Sequence, residues 1–118
     1  MSTPVGPYTP IVRAGDWLVV SGQIGIVEGK LVPGGLGGEL RQAVANLAGL
    51  LESAGASLQD VTKTTVFLRH LASDYTRMNE VYVELFDEPR PARSAVGVAE
   101  LPLGALVEVE AWAHVGAG

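Results

Sequence analysis

Residues 39–54 carry one continuous apolar stripe. Leu40, Ala43, Val44, Leu47, Leu50, Leu51 and Ala54 recur at i, i+3, i+4, i+7, i+10, i+11 and i+14, the period of an α-helix with a single buried face. Arg41, Gln42, Asn46 and Glu52 fall off the stripe, and Gly55 follows as a natural helix terminator. Such a stripe must be covered, and the segments on either side of it have the pattern of strands.

Residues 17–24 (WLVVSGQI) form an apolar run that opens as a strand. Gly15-Asp16 before it predicts a tight turn, hence a hairpin with a short strand over 11–13. Residues 30–32 add another short strand. The glycine-rich stretch 33–38 (PGGLGG) reads as a flexible loop before the helix, because glycine destabilises helix interiors. It lacks the spacing and the lysine of a phosphate-binding loop. Residues 61–68 (VTKTTVFL) are rich in β-branched side chains and read as a strand. A second helix is expected from a cap at Ser73 or Asp74 to about Phe86, with Met78, Val81, Tyr82 and Leu85 inward. Glu88-Pro89-Arg90-Pro91 ends it. Residues 93–99 read as a strand, 101–104 as a turn, and 106–115 (LVEVEAWAHV) alternate strictly. In that last segment Val107, Val109, Ala111, Ala113 and Val115 share one face, and Glu108, Glu110, Trp112 and His114 the other. This order predicts an α+β fold: a mixed β-sheet with two helices packed on one face.

The 118 residues suit a single domain over 1–118. With no cysteine, disulfide scaffolds, thiol nucleophiles and zinc ribbons are excluded. Charged residues are only 18% of the chain and apolar ones 47%. So little charge leaves apolar surface to be hidden against other subunits. A net charge of −5 with eight scattered basic residues argues against nucleic acid and against anionic membranes. No segment is long and apolar enough for a membrane span, and residues 1–10 lack the pattern of a secretory leader, so a cytoplasmic location is expected.

Few residues suggest chemistry by type alone. His70 and His114 have no spacing that supports a triad or a metal site. Glu108 and Glu110 share a strand face, either solvated or lining a cleft where one handles water or a proton; Trp112 beside them argues against full exposure of that face. Arg93 is either a surface charge or a planar fork for a carboxylate, with Arg90 as its competitor. Ser21-Gly22 breaks an apolar run, either as a backbone-bonding serine or as a place where a ligand approaches closely. Tyr8 is a packing residue or a phenolic donor at a pocket rim.

Taken together, these pieces resemble the Rid (reactive intermediate deaminase), or YjgF-like, family. The segments Gly6-Pro7-Tyr8, Val20-Ser21-Gly22-Gln23-Ile24, Arg41-Gln42-Ala43, Asn46-Leu47, Ala54-Gly55-Ala56-Ser57-Leu58, Asp60-Val61, residues 63–68, residues 78–82, Pro91-Ala92-Arg93-Ser94 and residues 107–111 occur in that order along nearly the whole chain. Pro-Ala-Arg-Ser followed by Val-Glu-Val-Glu-Ala is the most specific pair. The resemblance implies a chorismate-mutase-like sheet with two helices on one side, and a homotrimer with a central barrel-like core and clefts between neighbouring subunits. It implies a hydrolase of 2-aminoacrylate-type enamines and 2-imino acids, such as 2-iminobutanoate and 2-iminopropanoate, giving 2-keto acids and ammonia with no cofactor and no metal. Arg93 then matches the arginine that holds the substrate carboxylate and Glu108 the glutamate that positions water. Tyr8, Ser21, Gly22 and Asn79 match positions that line or support the cleft. The chain departs from the family pattern in the loop after Ile24, in the glycine-rich entry to the first helix and at Ala95, which bears on substrate range. A non-catalytic ligand-binding or chaperone-like trimer and a hydrolase of another small imine remain open. Ribonuclease-type activity, also reported in the family, is disfavoured by the acidic charge.

Overall fold

A computed structural model describes residues 6–116; the first residues of the expected leader-free segment lie outside them. A five-stranded sheet runs in the order β1-β2-β7-β5-β6, with β1 at Ile11–Ala14, β2 at Trp17–Gln23, β5 at Val61–Leu68, β6 at Ala92–Gly97 and β7 at Val107–His114. Only β5 and β6 pair in parallel, so the sheet is mixed as expected. A separate ribbon pairs β3 (Ile26–Val27) with β4 (Lys30–Leu31). Helices α1 (Gly35–Ser53) and α2 (Leu71–Leu85) cover one face of the sheet.

The core follows from the two periods. The α1 stripe Leu40, Ala43, Val44, Leu47, Leu50 and Leu51 is buried against Val107, Val109, Ala111 and Ala113 of β7 and against Val66 and Leu68 of β5. From α2 come Met78, Val81 and Tyr82, with Phe86 just beyond its end. The predicted hairpin is present: Ala14 pairs with Trp17 across Gly15-Asp16, and Gly15 takes a left-handed φ of 61°. Helix α1 also stops as its glycine predicted. Ala56 N–H donates to the Leu51 carbonyl at 2.9 Å and Gly55 N–H to that of Glu52 at 3.1 Å, with Gly55 at φ 81°.

Three expectations change. The glycine-rich stretch is not all loop, since α1 begins at Gly35 and takes in Gly37 and Gly38. Close packing outweighs helix propensity there, because a Cβ on Gly38 would run into the carbonyl oxygen of Pro33. Helix α2 starts at Leu71, ahead of both proposed caps. His70 occupies its N-cap without a side-chain bond, while Ser73 Oγ turns back to the His70 carbonyl at 3.4 Å. Trp112 is 46% exposed on the helix-free face, packed edge-on to Trp17 with ring centroids 6.5 Å apart.

Candidate active site

The sheet presents two separate sets of candidate residues, one on each face. On the helix-free side, β2 and β7 lose register between Val20 and Gln23. Val20 pairs with Ala111 and Gln23 with Val109, which leaves one extra residue in β2. That bulge is Ser21-Gly22, the pair that interrupts the apolar run. Ser21 Oγ donates to the Thr9 carbonyl at 2.7 Å, and its N–H to that of Pro10 at 2.8 Å, tying the segment behind Tyr8 to the strand. The Glu108 side chain lies on Gly22 so closely that a Cβ there would overlap its carboxylate. Burial pushes the Glu108 carboxyl above its ordinary value of 4.5, and the charge of Glu110 pushes it the same way.

These residues line an open groove of about 1170 Å³, with Tyr8, Ser21, Gly22 and Glu108 at its wall and Gln42 and Asn46 of α1 opposite. Its charged lining is Glu28, Glu108 and Glu110, all acidic, with no basic side chain among the described residues. Asn46 fixes the far wall. Its amide donates to the carbonyls of Ile24 at 3.1 Å and Ile26 at 3.0 Å, while Gln42 donates to Asn46 Oδ1 at 2.9 Å. Glu39 clamps the strand that carries Glu108: nearly buried, it accepts the Leu106 N–H at 2.8 Å, just ahead of β7. Neither Glu39 nor Asn46 is among the residues that the sequence marks out for the cleft. The signal for Glu39 is its position, one turn from Leu36 and Ala43 on the apolar side of α1, where an acid needs a partner.

Arg93 is elsewhere. It opens β6 opposite Thr64, whose buried hydroxyl meets the Tyr82 hydroxyl of α2 at 2.7 Å, so Arg93 projects to the helix side at the sheet edge. Its Nη1 donates to Asn79 Oδ1 at 2.7 Å, with Met78 Sδ at 3.6 Å, and its Nη2 to the Tyr75 hydroxyl at 3.2 Å. The guanidinium carbon lies 4.9 Å from the Tyr82 ring centroid and 5.8 Å from that of Tyr75. Burial pushes the Tyr82 phenol above its ordinary 10.0, against the bond from Thr64 and the charges of Arg93 and Arg90. All these partners are neutral. Arg41, Arg77 and Arg90 are paired with carboxylates, whereas Arg93 has no such partner among the described residues. Arg90, its competitor from sequence, bonds the Phe86 carbonyl at 2.9 Å and Glu88 at 3.2 Å.

One chain therefore gathers Tyr8, Ser21, Gly22 and Glu108 at one place and Arg93 with Asn79 at another, and it does not bring the two sets together. Tyr75 and Tyr82, which hold the guanidinium, become visible only once α2 is packed on β6. Among the described residues no cluster of His, Asp and Glu could hold a metal ion.

The chain is similar to known proteins along nearly its whole length. Residues 1–115 match the family model described as Endoribonuclease L-PSP. A RutC family protein of Pyrococcus horikoshii is 45% identical over 113 residues, covering 94% of this chain and 89% of that relative. The mouse protein named 2-iminobutanoate/2-iminopropanoate deaminase is 42% identical over 114 residues, covering 95% of this chain and 84% of its own. The crystal structure of RidA from a Psychrobacter species superposes with a TM-score of 0.91 at 39% identity, over 96% of this chain and 92% of that one.

Proposed function

The chain belongs to the Endoribonuclease L-PSP (Rid/YjgF) family, and from that membership we propose that it hydrolyses small 2-imino acids, 2-iminobutanoate and 2-iminopropanoate among them, to 2-oxo acids and ammonia. The observation that carries this reading is Arg93: a half-buried guanidinium held by neutral partners, its charge unspent on any carboxylate of the described chain. A positive fork so arranged suits the carboxylate of an imino acid.

The groove by itself is the wrong place for an anion, because its charged lining is acidic. The reading therefore requires the Arg93 edge of one chain to face the Tyr8–Glu108 groove of another. A homotrimer with a shared cleft meets that requirement, and the apolar, helix-free face bearing Trp17 and Trp112 supplies surface to bury. In such a cleft Arg93 grips the carboxylate, while Glu108 orients a water and accepts its proton as the water oxygen adds to the imine carbon. The C=N electron pair moves to nitrogen. Return of that proton to nitrogen gives the carbinolamine; transfer of the hydroxyl proton to nitrogen, again by way of Glu108, then breaks the C–N bond, so that ammonia leaves as the C=O of the 2-oxo acid forms. A carboxyl whose proton affinity is raised by burial is better matched to these transfers than an ordinary one, and general acid–base help of this kind is worth about 10²–10⁴-fold. An imine carbon is electrophilic already, so the scheme includes no cofactor; positioning supplies the remainder. The same acidic lining and the net charge of −5 oppose a ribonuclease role, since the groove offers nothing to a phosphate backbone. No helix among the described residues is long and apolar enough to cross a membrane, and we place the reaction in the cytoplasm.

An imino acid generated in situ by an amino-acid oxidase tests this. Release of 2-oxo acid should accelerate with the protein and return to the uncatalysed rate with Arg93→Ala. No acceleration across small and bulky imino acids would shift the assignment to a ligand-binding role.

A further inference from the structure

Arginine can only donate, so at each of its bonds Arg93 forces its partner to accept. Asn79 accepts through Oδ1 and Tyr75 through its phenolic oxygen. That fixes what remains over. The Asn79 amide nitrogen keeps its hydrogens, and the Tyr75 hydroxyl keeps a proton that has no acceptor among the described residues. Tyr82, the other ring beside the guanidinium, has its hydroxyl engaged with Thr64 and offers only a π face. Tyr75 is 42% exposed. It therefore brings a free O–H donor to the solvent side of Arg93, 3.2 Å from Nη2.

The hydrogens left unused around Arg93 all belong to donors, and no carboxylate stands among them. The ligand group that complements such a patch carries acceptors and no hydrogens of its own. A carboxylate satisfies this, whereas a carboxamide would set its own N–H against these donors. We propose that the Tyr75 hydroxyl is a direct donor to the substrate carboxylate beside Arg93, and that it sharpens the preference for a carboxylate over an uncharged amide. The proposal rests on the assignment of Arg93 to that carboxylate.

Tyr75→Phe keeps the ring over the guanidinium and removes only the hydroxyl. In the full-length protein, binding of pyruvate and of pyruvamide is followed by NMR alongside imino-acid hydrolysis. Tyr75→Phe should raise the pyruvate Kd and the imino-acid KM by about tenfold. It should leave kcat and the pyruvamide Kd unchanged. An unchanged pyruvate Kd overturns the proposal, and so does a pyruvamide Kd that rises in step with that for pyruvate, since Tyr75 would then act only by holding the guanidinium. If the protein binds pyruvate through Tyr75 but hydrolyses no imino acid, the deaminase reading fails and this one stands. Imine turnover indifferent to Tyr75→Phe has the opposite meaning, and absence of pyruvate binding in the wild type overturns the Tyr75 role.

Discussion

Glu108 carries opposing demands in a single side chain. Its carboxyl is raised because burial and Glu110 both disfavour its charge. The folded state therefore holds the proton more tightly than the unfolded chain does. The stability this contributes is complete below the ordinary carboxyl value of 4.5 and is lost as the pH climbs through the raised folded-state value. Above that value the ionised carboxylate weighs against folding. Glu108→Gln should consequently be more stable than wild type to urea at pH 7, with the difference vanishing near pH 4, while imine hydrolysis falls by about 10²-fold or more. Equal urea midpoints at both pH values would mean that the carboxyl is not held raised. The residue type and spacing of Glu108 were legible in the sequence, but its burial was not, because that comes from the bulge and from the bare Cα of Gly22 beneath it.

At the scale of elements, strand and helix periods fixed most of the architecture in advance. The α1 stripe and the alternation of β7 meet face to face, and β5 spans the same residues that its β-branched run marked out. Local propensity misled at the start of α1. Gly38 is there for a contact with Pro33 that no periodicity reports, and Gly25, in the chain between β2 and β3, for one with the helix itself, since its Cβ would sit 2.7 Å from the Glu39 Cα. Two glycines of the one helix should then respond in opposite directions. Gly49 has open space where a Cβ would go, so Gly49→Ala should stabilise the fold by about 0.5–1 kcal/mol. Gly38→Ala must move backbone at Pro33 and should destabilise by about 1–3 kcal/mol despite the better helix former. Thermal or urea denaturation of the pair decides it, and stabilisation by both would show that the Pro33 turn yields freely. The clamps from Glu39 and Asn46 were hidden for a related reason: each bonds backbone more than 19 residues away in sequence.

For the whole molecule, the candidate residues divide across two faces of the sheet. The sequence marks Arg93 and Glu108 alike, but nothing in it reveals that β6 is an edge strand whose arginine turns toward α2 while β7 sends its glutamate the other way. If clefts form between chains, Arg93→Ala and Glu108→Gln damage different walls. Co-refolding the two inactive variants in equal amounts should restore about a quarter of the wild-type activity, the fraction of clefts that receive both intact walls in randomly assorted cyclic oligomers. Mixtures as inactive as their components would place both residues in one chain's cleft and overturn the shared arrangement.

The edge-on contact of Trp17 with Trp112 has a practical consequence. These are the only tryptophans in the chain, and both stand on the helix-free face of the sheet. Ultraviolet emission excited in the indole band thus comes from one spot, at the place where apolar surface awaits a cover. The molecule carries its own optical gauge of that face: the spectrum follows wetting or drying of the sheet and stays largely indifferent to events at the Arg93 edge. With no native cysteine to compete, a single thiol introduced beside Arg93 could carry a second dye, so that assembly and ligand capture are recorded as two colours from the same sample.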